Sequence, residues 1–358
     1  MLAFQSVQYI ANFQDNLKKS MSERKKLEIN MKKILMILAL TAVCAAFSFS
    51  AEKPVFDSAK AVKDTGKKAF TATSAIKTVA DMKTGWNLGN TFDAINGTTL
   101  ASEMSWGQPK TTKAMIDGLA KSGIKTIRVP VSWHNHIIDT NYTIDPAWMA
   151  RVKEVVDWAI DNNMYVILNT HHDDWDKTAA MPRCAGIYPN STNYEESSRF
   201  LVNVWTQIGT AFNNGYDEHL IFETMNEPRN TAHTHTWNPN YTSKSCKECH
   251  DDFLICNAYN QLILDEIRAS GGNNANRFVM IPGLCTDAGA IMNALFEMPK
   301  DSAHDKLIAT VHNYIMGAGP EYAEAMFTHS HEIKLDDYFS KLNNHFVSKG
   351  IPVIMGET

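Results

Sequence analysis

Two glutamates stand in settings suited to work on a polar bond. Glu227 lies in Phe222-Glu-Thr-Met-Asn-Glu-Pro-Arg229, and Glu357 in Val353-Ile-Met-Gly-Glu-Thr358. Each comes just after a short apolar run, as expected of a residue displayed at the end of a strand. Two carboxyls aimed into one cleft can divide the labour of cleaving a glycosidic bond. One is protonated and releases the leaving oxygen; the other is ionised and either attacks or activates water. Either glutamate alone would more often be a surface or salt-bridged residue. Further polar groups recur in the same kind of position: Asn87 and Asn90, Arg128, His171 and His172, Asn226, and His312 with Tyr314.

Positioning these groups requires a repeated unit. Apolar runs at 84–89, 124–130, 165–169, 220–223, 278–282, 307–312 and 352–356 show little alternation, which suits parallel strands covered on both faces. Amphipathic segments lie between them. Trp148, Val152, Val155, Val156 and Ala159 share one helical face, as do Leu201, Val204, Trp205, Ile208 and Phe212. Asp145-Pro146 offers an N-cap followed by proline at the first helical position, and a long helix is expected from Asp251 to Ser270. Repeated βα units fold as an open doubly wound sheet or as a closed barrel. Gly85-Trp-Asn-Leu-Gly-Asn90 lacks the spacing of a dinucleotide-binding loop, and polar groups gather at nearly every strand end. Both points favour an α/β fold of the (β/α)8 TIM-barrel type. Seven strands are expected, with the chain stopping directly after the seventh, so the barrel is read as truncated at its C-terminus.

Composition sets outer bounds. The chain has 358 residues, 44% hydrophobic and 20% charged, which excludes a disordered, collagen-like or disulfide-framework protein. Residues 1–50 carry seven Lys/Arg and three Asp/Glu, or +4, so a net charge of −5 leaves −9 on the remainder. An acidic body argues against nucleic acid as the main partner. Residues 31–50 have a signal-peptide layout: Lys32 and Lys33, an apolar stretch from Ile34 to Phe47, then Ser48-Phe-Ser50. The expected organisation is therefore an upstream extension over 1–30, a signal at 31–50, a spacer at 51–74 and a barrel over 75–358. Secretion follows, extracellular or periplasmic, with no membrane association once the signal is removed. Cys246-Lys-Glu-Cys249-His250 matches the pattern of covalent haem attachment, though no distal ligand accompanies it. A zinc site there lacks a second cysteine pair at usable spacing, and the His171-His172 pair lacks a compact third ligand. No metal and no cofactor are expected.

The ordered blocks resemble glycoside hydrolase family five, in its branch of bacterial endo-β-1,4-glucanases. The blocks are Gly85-Trp-Asn-Leu-Gly-Asn-Thr-Phe-Asp-Ala94, Ile127-Arg-Val-Pro-Val-Ser-Trp-His-Asn-His136, Ile167-Leu-Asn-Thr-His-His-Asp173, Val311-His-Asn-Tyr314 and the two glutamate blocks. Trp106-Gly-Gln-Pro109 fits more loosely. The resemblance runs from about residue 75 to the end. It implies a retaining, double-displacement reaction with Glu227 as acid/base and Glu357 as nucleophile. It further implies that Arg128 and Tyr314 support Glu357, that His312 neighbours Glu227, and that Asn226 holds the sugar 2-hydroxyl. By the same resemblance His171 contacts substrate hydroxyls and His172 adds a second contact, with Asn90 among the supporting residues. Trp106, Trp133 and Trp175 are expected stacking platforms or core residues, and Trp86 core. The partner implied is a β-glucan polysaccharide or oligosaccharide, and a monomer is expected. Xyloglucan, lichenan and mannan remain open as substrates, as do an inactive fragment and a non-catalytic glucan-binding protein.

Overall fold

A computed structural model describes residues 54–174, 186–315 and 326–358. The signal-like stretch, Trp175, Cys44 and Cys184 lie outside the described residues. Seven parallel strands form one sheet in sequence order: β1 (Gly85–Asn87), β2 (Thr126–Val129), β3 (Tyr165–Asn169), β4 (Leu220–Glu223), β5 (Val279–Asp287), β6 (Leu307–His312) and β7 (Val353–Glu357). The principal helices are α1 (Ala75–Met82), α2 (Lys113–Lys121), α3 (Pro146–Asp161), α4 (Tyr194–Ala211), α5 (Lys247–Ala269) and α6 (His329–His345). Strand and helix alternate as they do in a (β/α)8 barrel, here through its seventh strand. β1 and β7 are the edges of the sheet. Between them the Asn87 side-chain amide donates to the Gly356 carbonyl at 2.8 Å, so a side chain spans a seam that no ladder closes.

Local chemistry explains the elements. Asp145 caps α3 by accepting from the Ala147 amide at 2.9 Å, with Pro146 at the first position, as read from the sequence. The apolar faces of α3 and α4 are buried as expected. One end of the barrel interior is filled by Tyr165, Ile167, Ile221, Phe278, Met280 and Ile308, against which Ala75 and Met82 of α1 pack. Residues 54–74, expected as a spacer, hydrogen-bond to the barrel. The Val55 amide donates to Asn203 Oδ1 at 2.7 Å, and the Lys68 amide to the Asn214 carbonyl at 2.6 Å.

Three expectations need correction. Trp86 is 54% exposed, because β1 is an edge strand and no described helix covers its outer side. Trp133 is fully buried, with its indole N–H donating to the Asn169 carbonyl at 3.0 Å. It braces the ends of β2 and β3 and presents no face to a sugar. Finally, α5 begins at Lys247, not Asp251, with Cys246 as its N-cap residue. The Cys246–Cys249 pair thus belongs to the first turn of a 23-residue helix.

Candidate active site

A cleft of ≈ 600 Å³ opens at the C-terminal ends of the strands, and Asn87, Asn90, Arg128, His171, His172, Asn226, Glu227, Tyr314 and Glu357 all line it. The topology explains the convergence. Parallel strands of one barrel present their last residues on a common face, however far apart these lie along the chain.

Arg128 is the hub. Its Nη1 donates to Glu357 Oε1 at 2.8 Å and to Asn87 Oδ1 at 3.2 Å; its Nη2 donates to Asn226 Oδ1 at 2.8 Å. Its Nε donates to Glu223 Oε2 at 2.8 Å. Glu223 was not singled out from the sequence, yet it is fully buried at the end of β4 and anchors this arginine. Asn169 Nδ2 and Thr310 Oγ1 also donate to it, at 2.8 and 3.1 Å. A carboxylate inside an apolar strand run was the available signal, since a buried charge must be paired.

Glu357 projects from the end of β7. Tyr314 donates its hydroxyl to Glu357 Oε2 at 2.5 Å, and His171 Nε2 lies 3.8 Å from Oε1. Burial pushes the Glu357 carboxyl upward. The nearby His312 and Arg128 and the hydrogen bonds from Tyr314 and Arg128 outweigh it, holding the group at about 2. It is therefore a carboxylate across the neutral range. Burial, with Arg229 assisting, draws His172 down to about 4, and burial carries His171 well below its ordinary value. Both rings are neutral near pH 7, suited to hydrogen-bonding hydroxyls. We expect Tyr314→Phe to fold normally, since the ring is 42% exposed. Losing a bond that favours the ionised form raises the Glu357 pKa, so the acid limb of kcat/KM moves to higher pH. Rates above that limb should fall roughly 10- to 150-fold, matching ~1.5–3 kcal/mol for a hydrogen bond to a charged group. An unchanged pH–rate profile would contradict the assignment.

Glu227 faces Glu357 across His312. His312 Nδ1 lies 2.9 Å from Glu227 Oε1 and 3.6 Å from Glu357 Oε2. A ligating atom from each of the three groups falls within 4.8 Å of the others. Gly356 permits this packing, because a Cβ there would stand 3.0 Å from His312 Nε2. On the other side Arg229 Nη1 donates to the Glu227 carbonyl at 3.1 Å and pairs with Asp174 Oδ2 at 2.8 Å. Its guanidinium sits 4.3 Å from the centre of the Trp237 ring.

Other placements are mixed. Asn90 adopts a left-handed φ of 58° and donates its amide to Asp93 Oδ2 at 3.0 Å. Asp93, also unremarked in the sequence, lines the cleft beside His172. Trp106 is half-buried and meets the His172 ring at 5.4 Å, outside the immediate lining. The exposed tryptophan in the lining is instead Trp237, from the segment after β4.

Known proteins with this architecture are similar in sequence as well. Endoglucanase B of Ruminococcus albus is 42% identical over 296 residues, covering 80% of this chain and 65% of that relative. The chain thus spans about two thirds of the length of this curated relative. A lichenase variant from Caldicellulosiruptor, solved in complex with cellotetraose, superposes with a TM-score of 0.72 at 38% identity, covering 82% of this chain and 79% of that one. A broad-specificity endoglucanase from Ruminococcus champanellensis with bound cellotriose gives 0.70 at 37% identity, covering 80% of each chain. The family model for cellulases matches residues 87–358, from the last residue of β1 through Glu357, and the chain belongs to glycosyl hydrolase family 5.

Proposed function

We propose that this chain hydrolyses internal β-1,4-glucosidic bonds of cellulose or related β-glucans with retention of anomeric configuration. Glu357 is the nucleophile and Glu227 the acid/base. The observation that carries this reading is the approach of the two carboxylates with His312 to within 4.8 Å. Retaining enzymes hold their carboxyl groups ~5–5.5 Å apart, whereas inverting enzymes need ~6.5–9.5 Å to admit a water.

The steps follow from the residues. Glu357, kept ionised by Arg128 and Tyr314, attacks the anomeric carbon while Glu227 gives its proton to the departing oxygen. A glycosyl ester on Glu357 results, and the leaving sugar departs as an alcohol. Glu227, now a carboxylate, takes a proton from water, which attacks the anomeric carbon, breaks its bond to the Glu357 oxygen and frees Glu357. Asn226 Oδ1 is committed to Arg128, so its amide N–H group is the one left to bind the sugar 2-hydroxyl. His171 and His172 contact neighbouring hydroxyls as neutral rings. Trp237, 55% exposed at the rim, offers an apolar face for a sugar ring.

The substrate side rests on relatives that bind cello-oligosaccharides and include a lichenase. Export through residues 31–50 and action as a monomer rest on sequence pattern alone. Among the described residues no helix is long and apolar enough to cross a membrane. The test follows the first-formed product by proton NMR on cello-oligosaccharide and measures reducing ends from carboxymethyl-cellulose, lichenan, xyloglucan and mannan. The β-anomer is expected first, with cleavage on β-glucans. An α-anomer would refute the mechanism. Binding of oligosaccharide without any cleavage would favour the glucan-binding alternative.

A further inference from the structure

The segment following the acid/base strand brings together four side chains that the reaction does not use. His233 and His235 come from the loop, Cys246 from the N-cap of α5, and Cys249 from its first turn. One ligating atom from each lies within 4.8 Å of the other three. Cys246 Sγ is 3.6 Å from His233 Nε2, and Cys249 Sγ is 3.9 Å from His233 Nδ1 and 3.4 Å from His235 Nδ1. We infer that these four residues bind a single zinc ion as a Cys2His2 site, which fastens the loop carrying Trp237 to the start of α5.

Geometry and chemistry agree. A tetrahedral zinc with Zn–S of ~2.3 Å and Zn–N of ~2.0–2.1 Å sets sulfur and nitrogen about 3.5 Å apart. Glu248 holds His233 Nε2, which leaves Nδ1 as that ring's ligating atom, and the separations from Cys249 Sγ to His233 Nδ1 and His235 Nδ1, 3.9 and 3.4 Å, bracket that value. Two thiols and two imidazoles in tetrahedral proximity select a borderline-soft ion such as zinc over magnesium or calcium. Glu248 Oε2 lies 2.6 Å from His233 Nε2, the carboxylate–imidazole pairing that fixes the ring of a ligating histidine. Binding replaces two thiol protons with one Zn²⁺ and releases both protons to solvent, so the exchange balances without any redox partner.

The reading of no metal from sequence sought further cysteines downstream. The missing ligands are histidines 13 and 14 positions upstream of their cysteine partners, brought back by the loop. A metal there would matter to the cleft, because Trp237 lies two residues beyond His235 and faces Arg229 over its ring.

The experiment uses the full chain, purified without chelator and under reducing conditions. Elemental analysis should find about one zinc per chain after desalting. Stripping the metal and adding cobalt should give the intense visible absorption of tetrahedral cobalt together with a thiolate charge-transfer band. Cys249→Ser and the milder His235→Asn should each lower retained zinc several-fold, whereas Cys285→Ser should retain it. Absence of zinc, a weak octahedral cobalt spectrum, or Cys246 and Cys249 recovered as a disulfide from reduced preparations would overturn the site. Each of these readouts is independent of hydrolytic activity, so failure of the zinc site and failure of the glucanase reading are distinguishable.

Discussion

Glu357→Ala is expected to lower polysaccharide hydrolysis by on the order of 10⁴-fold or more, as removal of a nucleophile does in other covalent enzymes. The loss arises because no ester can form, and the space left at the end of β7 has room for a small anion. Azide should therefore restore turnover on an aryl glycoside with a good leaving group. Its product should have inverted configuration, because one displacement replaces two. The measurement is chiral: the anomer of the glycosyl azide is read by NMR. A variant with near-native rates, or azide product of retained configuration, would remove Glu357 from the role. Folding should survive the change. Removing an ionised group from beside Arg128 leaves that guanidinium still paired with Glu223, at 2.8 Å.

Glu227→Ala should behave differently, and the difference separates the two carboxyls. General acid–base assistance contributes ~10²–10⁴-fold, so polymer hydrolysis should fall by that range. The deficit should shrink on substrates whose leaving group needs no proton, because formation of the Glu357 ester then proceeds unaided. Breakdown of that ester still lacks its base, so a burst of aryl alcohol followed by slow turnover is expected. Azide should accelerate this second step and give a product of retained configuration, opposite to that from the Glu357 variant. Equal losses across leaving groups of widely different acidity would exclude Glu227 as the acid.

Much of this arrangement was legible in the residues. Seven apolar runs fell on seven strands, and Asp145-Pro146 marked the start of α3, because strand runs and helix caps are local properties. The cleft residues were legible as polar groups following those runs. What escaped depended on partners distant in the chain. Glu223 and Asn169 sit inside β-strand ends and act through Arg128 and each other; a carboxylate in an apolar run marks Glu223, but the partners that give both residues their role lie on other strands. Trp86, expected as core, is exposed, and of the two roles open to Trp133 the structure gives core, because burial of a tryptophan is decided by what lies across from it. An edge strand leaves one open, and the packed β2–β3 junction encloses the other. The cysteine pair was visible, but the turn that returns His233 and His235 to it was not.

The two carboxylates do not share equal mechanical security. Glu227 follows β4, an interior strand bonded on both sides by β3 and β5. Glu357 ends β7, which among the described residues is laddered to β6 alone and flanked by α6, whose sole buried residue is Leu342. Stability is distributed unevenly in such structures, and segments with few buried contacts open at lower free energy than the whole. Under the proposed roles, an opening of β7 in the described residues would displace Glu357 while Glu227 stays seated, and loss of hydrolysis at lower denaturant than loss of far-UV circular dichroism is the expected sign of it.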